Sequence, residues 1–143
     1  MRKLFTAVVL ALTIATSAFA AGGNKVNFFA QNSFESEFKN ASNVQWTSAP
    51  DFLKATFVQN NQKKEAFYNS DGQLIATSRT ADLSELPVKA KRTFAKKLEG
   101  YTVKEAIRFE GIDENAYYIS AENEKGSVIF KIEDNGFVTV KKA

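Results

Sequence analysis

Two hairpin patterns constrain the fold of this chain more than any other feature of its sequence. In residues 66–75 (AFYNSDGQLI), two apolar stretches flank the pair Asp71-Gly72. Residues 130–138 (FKIEDNGFV) repeat this pattern 64 positions later around Asn135-Gly136. Glycine adopts positive φ at no steric cost and Asp or Asn tolerates it, so both pairs favour tight hairpin turns. Each hairpin follows a helical pattern and an earlier strand, which predicts a duplicated unit.

The first twenty residues have the pattern of a secretory signal peptide. Arg2 and Lys3 precede an apolar run over residues 4–15, and Ala18 and Ala20 stand where signal peptidase reads small residues. We therefore expect cleavage after Ala20 and a periplasmic protein. The alternative is an uncleaved anchor, but the apolar run is short for a span of about 20 residues. The sequence has no Cys, which excludes lipoprotein anchoring and disulfides.

Cleavage would leave a nearly neutral domain over residues 21–143. Arg2 and Lys3 are the only charged residues before position 21, so the mature chain would carry 17 basic and 16 acidic residues. This balance argues against a nucleic-acid partner. No other stretch is apolar enough to cross a bilayer, so we expect no membrane span after cleavage. The chain contains thirteen Phe residues, which can supply much of the apolar burial of one domain.

The first repeat unit is predicted over about residues 28–79. Asn32 is expected to cap a helix over residues 33–41, with Phe34 and Phe38 on its buried stripe. Phe28 and Phe29 could extend that stripe or tuck under it. Four strands should follow, around residues 44–46, over 52–59, and on both sides of the Asp71-Gly72 turn.

The second repeat unit is predicted over about residues 82–142. Pro87 should open a helix that runs to Glu99, and Gly100 should end it. The basic residues of this helix could meet an anionic partner, but a solvated outer face explains them better. Four more strands are expected over residues 101–109, 116–121, 127–133 and 137–141. Helices gathered on one face of an antiparallel sheet define an α+β fold.

Several of these residues resemble one family when they are taken together. They are Phe38, Val44, Trp46, residues 55–57 (ATF), residues 67–75 (FYNSDGQLI) and Leu86-Pro87. This set is similar to the beta-lactamase-inhibitor-like, PepSY-like family of small secreted proteins of Gram-negative bacteria. The resemblance covers nearly all of the mature chain. It implies two tandem units of one helix and four antiparallel strands, with sheets joined side by side, and a periplasmic location. It implies no functional residues.

The residue types that carry most enzyme chemistry are missing from the sequence. There is no His and no Cys, which removes nucleophile–base pairs, thiol catalysis and imidazole metal sites. The two Asx-Gly turns do not form calcium loops, because Phe67 and Lys131 stand where the loop needs an acid. We therefore expect a protein that is not an enzyme, with no catalytic residue, no cofactor and no metal ligand.

The aromatic strand residues are the best candidates for contact with a partner. Helices cover one face of a sheet, and an open face with aromatic side chains usually marks a contact surface. The candidates are Trp46, Phe67, Tyr68, Tyr117 and Tyr118. The alternative is that these residues belong to the core. Two functions remain open: a periplasmic module that binds another envelope protein through an open sheet face or edge strand, and a carrier of a small apolar ligand held between helices and sheet.

Overall fold

The computed structural model describes residues 27–143. The predicted signal peptide therefore lies outside the described residues. The elements that the structure defines, in chain order, are α1 (Phe28–Glu37), β1 (Ser42–Ser48), β2 (Leu53–Gln59), β3 (Gln62–Tyr68), β4 (Leu74–Thr80), a 3₁₀ turn (Leu83–Glu85), α2 (Val88–Leu98), β5 (Thr102–Gly111), β6 (Asn115–Asn123), β7 (Gly126–Glu133) and β8 (Val138–Lys142).

All eight strands form one antiparallel sheet in which each strand pairs with its neighbours in the sequence. The α+β class is therefore confirmed. The pairing of β4 with β5 joins the two halves of the chain, from Ala76 opposite Gly111 to Thr80 opposite Ile107. Only β1 and β8 are left as edges of this sheet.

The first helix begins five residues earlier than the sequence pattern predicted. Its N-cap is Asn27 and not Asn32, because the Asn27 Oδ1 atom accepts a hydrogen bond of 2.9 Å from the Phe29 N–H. The Asn27 amide also donates to the carbonyl of Ser70 at 2.7 Å. This second bond joins the cap to the β3–β4 loop. Local helix propensity does not predict such a tertiary bond. Ala30 and Phe34 form the buried stripe of the helix, whereas Phe28 and Phe29 are exposed.

The second helix agrees with its prediction to within a residue at each end. Pro87 is its N-cap residue, and Gly100 follows with a φ of 82°. Ala90 and Phe94 are buried in a cluster with sheet residues that include Phe130 and Ile132. The Phe94 and Phe130 rings meet edge-on with centroids 5.2 Å apart. An aromatic contact of this type stabilises the packing by about 1 kcal/mol beyond the area that it buries.

The register of the strands divides the sheet residues between two faces. One, which we name the Tyr68 face, contains Ala55, Phe57, Ala66 and Tyr68, and all four cluster with Ala30 and Phe34 of α1. The Tyr68 face continues across strands β3–β7. Its residues there pair with one another in succession, and they are Lys64, Arg79, Arg108, Tyr117 and Ile132. The opposite side, which we name the Phe67 face, contains a separate cluster that includes Phe67, Phe109 and Tyr118.

The two predicted hairpin turns are longer than the tight turns that the sequence suggested. Strand pairing ends at Tyr68–Leu74 and at Ile132–Val138, which leaves five residues in each loop. The reason is the same in both loops. The residue that opens the loop (Asn69 or Glu133) receives a hydrogen bond from the glycine N–H at 3.0 or 2.8 Å and donates to the carbonyl four residues on at 3.0 Å.

The glycine of each loop touches the first turn of a helix. A Cβ atom on Gly72, which has a φ of 79°, would lie 2.5 Å from the Phe29 Cβ and 2.6 Å from the Ala30 nitrogen. A Cβ atom on Gly136 would lie 2.8 Å from the Lys89 Cβ. Real Cβ atoms do not approach other atoms this closely, so glycine is required by contact as well as by backbone conformation.

We predict that Gly72→Ala destabilises the fold more than Gly100→Ala does. Both glycines have positive φ, so both variants suffer a backbone cost of about 1 kcal/mol. Only the Gly72 variant also forces α1 away from the loop, which adds about 1–3 kcal/mol of overpacking, because nothing lies within 4 Å of a Cβ at Gly100. Urea denaturation of the three proteins measures the difference. Equal losses in the two variants would contradict a close contact between loop and helix.

Candidate protein-binding surface

The Phe67 face carries an apolar cluster to which neither helix contributes. Its buried members come from strands β3–β7 and from the turn before β2, and they are Phe52, Phe67, Ala76, Ile107, Phe109, Ala116, Tyr118 and Ile129. Within residues 27–143, the side chains that pack around this cluster belong to the same face or its turns. Large antiparallel sheets twist and curl, which brings the side chains of one face together and lowers their exposure.

The five aromatic candidates do not form one surface. Phe67 and Tyr118 lie on the Phe67 face, but they are buried, with 2% and 3% of their surface exposed. Tyr68 is fully buried on the opposite face. Trp46 and Tyr117 are partly exposed, and both pack at the margins of the helix-side clusters. The sequence left open whether these aromatic side chains lie in water or in the core, and burial in two separate clusters removes Phe67, Tyr68 and Tyr118 from solvent.

The rings of Trp46 and Tyr68 belong to a stack under α1. Trp46 contacts Phe34 and Tyr68 with centroids 5.6 and 5.7 Å apart, and Phe34 meets Phe57 at 4.9 Å. The hydroxyl of Tyr68 is buried and makes no hydrogen bond to any described residue. Burial, with a smaller contribution from the negative charge of Glu37, raises the pKa of Tyr68 above its usual range.

An ionic group lies on strands β2–β4, on the same face of the sheet as the apolar cluster. The ammonium of Lys54 is 3.0 Å from Glu65 Oε1, and these two side chains are only 15% and 19% exposed. Ser78 donates to the other carboxylate oxygen of Glu65 at 3.0 Å. Both Glu65 oxygens are thus occupied, and the group presents a fixed pair of opposite charges at this side of the Phe67 face.

A second ionic group lies on the β5–β6 loop and strands β6 and β7. Glu114 Oε1 accepts hydrogen bonds of 2.6 Å from both the Tyr118 hydroxyl and the Lys131 ammonium. The Glu114 side chain is 9% exposed, and its second oxygen is buried without a hydrogen-bond partner among the described residues. Lys131 also lies 3.5 Å from Glu133. The Glu114 carboxylate is therefore stabilised by one cation, Lys131, and one hydroxyl, that of Tyr118.

The pKa values of Tyr118 and Lys131 are displaced in this second ionic group. Burial, reinforced by the hydrogen bond to Glu114, raises the pKa of Tyr118 above its usual range. Burial acts to lower the pKa of Lys131, but the hydrogen bonds and charges of Glu114 and Glu133 together outweigh it and raise that pKa. At neutral pH, Tyr118 is therefore a neutral donor and Lys131 a fixed cation.

Two arginines lie opposite each other on the Tyr68 face where β4 pairs with β5. Arg79 holds Glu85 of the 3₁₀ turn through bonds of 2.7 and 3.2 Å. Arg108 holds Asp134 of the β7–β8 loop through bonds of 2.5 and 3.1 Å, and its guanidinium lies 4.7 Å from the Tyr117 ring centroid. These bidentate pairs lower the pKa values of Glu85 and Asp134 below their usual range.

The two edges of the sheet differ in their protection against further pairing. Strand β8 ends in Lys141 and Lys142, and charged residues of this kind discourage edge-to-edge pairing. Strand β1 (SNVQWTS) has no charge and no proline, and most of it is exposed. Its protection is an irregular register between Ser42 and Gln45, where Asn43 has a φ of 52°. The stretch from Gln45 to Ser48 remains regularly paired on one side only.

The sequence reading did not identify the ionic groups of the Phe67 face. A signal for them was present, since Lys54, Glu65 and Lys131 are charged residues inside strands whose neighbours are buried. Glu114 gave no such signal, because it stands in a turn where an acid is ordinary. Within residues 27–143, no group of three acidic side chains could hold a metal ion. No helix in that range is long and apolar enough to cross a bilayer.

We predict opposite effects for two Tyr→Phe variants. Tyr118→Phe removes a donor from a buried carboxylate and should lower the free energy of unfolding by about 1.5–3 kcal/mol. Tyr68→Phe removes a hydroxyl without a partner and should leave that free energy unchanged or raise it by up to about 1 kcal/mol. Urea denaturation at pH 7 measures both. A larger loss in Tyr68→Phe than in Tyr118→Phe would contradict these hydrogen-bond assignments.

We predict that the protein loses stability below about pH 4 through its arginine-bound carboxylates. The folded pKa values of Glu85 and Asp134 are lowered, so their stabilisation is complete above the unfolded pKa values, near 4, and is lost as pH falls through the folded ones. Thermal melts between pH 7 and pH 2.5 should show this decline, and Asp134→Asn should flatten it. Asp51→Asn is the control, because Asp51 is exposed and no described residue forms an ion pair with it.

Comparisons with known proteins give a fold and no family assignment. No family model matches the chain, and no curated protein matches it. Among solved structures, a "putative periplasmic" protein from Bacteroides eggerthii DSM 20697 is similar, with a TM-score of 0.76 and 14% identity over 83% of this chain and 90% of the other. A DUF2874 family protein from Bacteroides uniformis ATCC 8492 gives 0.74 and 12% over 82% and 89%.

A BLIP-like protein from Bacteroides fragilis NCTC 9343 is also similar, with a TM-score of 0.71 and 14% identity over 85% of this chain and 89% of the other. This likeness agrees with the inhibitor-like part of the family resemblance seen in the sequence. At such low identity, the similarity concerns the fold alone. This chain has a BLIP-like α+β fold.

Proposed function

We propose that this chain is a non-enzymatic periplasmic module that binds another envelope protein through the Phe67 face of its sheet. One observation carries the proposal. The Phe67 face has a continuous apolar cluster without any residue of α1 or α2, so neither of the two helices described in residues 27–143 covers it. In a soluble α+β domain, a sheet face of this size is usually covered by another layer.

The composition of the Phe67 face suits a protein partner. Protein interfaces combine a desolvated apolar centre with a polar rim. Here the buried aromatic cluster forms the apolar floor of the face, and the polar groups around it are the Lys54–Glu65 pair on one side and the Glu114–Lys131 pair on the other. Because both pairs are fixed by hydrogen bonds, little side-chain entropy is lost when a partner docks.

Strand β1 offers the second contact in this proposal. An extended segment of a partner could add to the uncharged edge between Gln45 and Ser48 by main-chain hydrogen bonds. Trp46 lies in this strand and is partly exposed, so it is the candidate from the original set that best fits an edge contact. Tyr117, which is partly exposed on the Tyr68 face, fits neither surface.

Carriage of a small apolar ligand between helices and sheet is less well supported. That model needs space under α1 or α2. The rings of Phe34, Phe38, Phe57 and Trp46 are instead in mutual contact, with centroid separations of 4.8–5.6 Å. Ring contacts of this kind are typical of a filled core. Native mass spectrometry of the purified protein would reveal a retained ligand and would favour the carrier.

We also propose that the domain arose as two tandem units, over about residues 28–79 and 82–142, with both helices on the Tyr68 face. The matching hydrogen bonds of the two five-residue loops support this, as do the contacts that Gly72 and Gly136 make with the first turn of a helix. Membership of the PepSY-like family and cleavage after Ala20 are parts of the same proposal. The periplasmic location draws support from the described location of one structural relative.

We predict that arginine substitutions on the Phe67 face abolish capture of the partner. Thr56→Arg with Ser120→Arg places two large cations on that face at partly exposed positions. The mature protein and this variant would be immobilised as baits in periplasmic extract of the source bacterium. A protein retained by the wild type and lost by the variant is the expected result, to be confirmed with the recombinant partner by calorimetry.

Two further baits are used, one as a charge control and one to test the β1 edge. Asn32→Arg with Ala95→Arg adds the same charge to exposed helix positions and should retain the partner. Val44→Lys charges the β1 edge and should weaken capture only where the edge takes part. Circular dichroism melts establish that each bait is folded. Equal retention by the wild type and the Phe67-face variant would refute contact through that face.

A further inference from the structure

The most exposed apolar side chains of the described chain are concentrated at one end of the sheet. Val88 is 84% exposed, Ile112 76%, Phe28 69%, Phe29 67% and Phe137 61%. The other large apolar residues that are exposed, Val44, Leu83 and Val140, reach only 37–40%. Single exposed apolar residues are ordinary, but a contiguous group on a small domain marks a contact site.

The topology places these five residues at the same end of the sheet. In an antiparallel sheet with strands in chain order, the turns after β1, β3, β5 and β7 all lie at the same end. We name this the loop end, formed by residues 49–52, 69–73, 112–114 and 133–137 with the first residues of α1 and α2. Gly72 and Gly136 hold the helix starts there by direct contact, and the Ile112 N–H donates to the Ile75 carbonyl at 3.2 Å.

Each of the four loops at this end also carries an exposed aspartate. They are Asp51, Asp71, Asp113 and Asp134. Asp134 is paired with Arg108, whereas no described residue forms an ion pair with the other three. Lys89 and Lys91 are the described cations in the first turns of the two helices, and Lys91 donates to the Ser84 carbonyl at 2.9 Å. The opposite end carries both signs of charge, with Lys39, Lys63, Lys97 and Lys125 beside Glu37, Glu99, Glu122 and Glu124.

We propose that the loop end is a second docking surface, for a protein that presents an apolar pocket ringed by lysine or arginine. Phe137 and Ile112 would enter the pocket, and the unpaired aspartates would meet the basic ring. The charge argues against a lipid surface, since bacterial membranes are anionic and attract basic segments. A symmetric dimer through this end would set the same aspartates against each other. This inference does not depend on contact through the Phe67 face.

The test uses three synthetic peptides of equal length and equal Leu content, with Lys, Gln or Glu at the remaining positions. Fluorescence anisotropy measures their binding to wild-type protein and to Phe137→Ser/Ile112→Ser. Leu83→Ser/Val140→Ser is the control, because it removes exposed apolar side chains elsewhere. We expect the Lys peptide to bind most tightly, with a loss of about tenfold in the loop-end variant, less than twofold in the control, and weakening as salt is raised.

A charge variant provides an independent arm. Asp71→Asn/Asp113→Asn changes no apolar residue, and it should weaken the Lys peptide and leave the Gln peptide unaffected. Equal affinity for the three peptides, or equal losses in the loop-end and control variants, would overturn the proposal. Binding to phosphatidylglycerol vesicles that Phe137→Ser/Ile112→Ser abolishes would assign the surface to lipid. Self-association in sedimentation velocity that the same variant abolishes would assign it to a second copy. Either outcome would overturn the proposal as well.

Discussion

The contact between a hairpin loop and the first turn of a helix is the constraint on which the rest of this structure depends. At Gly72 the loop backbone comes so close to Phe29 and Ala30 that no Cβ could be accommodated, and Gly136 repeats this with Lys89. Each contact fixes where a helix begins above the strands. The buried stripe of that helix then meets the sheet, with Phe34 against Phe57 and Phe94 against Phe130. The opposite cluster, which includes Phe67, receives no side chain from either of these two helices.

Local sequence signals were sufficient where the structure is locally determined. Turn chemistry predicts the glycines of both loops. Proline and glycine positions predict the second helix, and alternation predicts the eight strands. The first helix was displaced because its cap is chosen by a tertiary bond from Asn27 to Ser70. Alternation also failed beside Ile75, where a bulge places Leu74 and Ala76 on opposite faces although they are two residues apart.

The candidate surface could be predicted less well than the fold, for a physical reason. Alternation indicates which side chains share a face, but exposure also depends on how far the sheet curls and on what its loops cover. Phe67 and Tyr118 were candidates for contact with a partner on an open face, yet both are buried among neighbours contributed by other strands. Their polar surroundings, Lys54 with Glu65 and Lys131 with Glu114, depend on pairings between residues 11 and 17 positions apart. No local pattern encodes these pairings.

Glu114 connects the two surfaces for which we propose partners. It belongs to the loop that exposes Ile112, and its carboxylate is held inside the Phe67 face by Tyr118 and Lys131. The loop backbone is closed by a bond of 2.8 Å from the Gly111 N–H to the Glu114 carbonyl. Ile112 therefore stands on a loop whose ends are tied to strand and cluster, which reduces the entropy lost when a partner binds it. Displacement of this loop would act directly on the hydrogen bonds that Glu114 makes with Tyr118 and Lys131 on the Phe67 face.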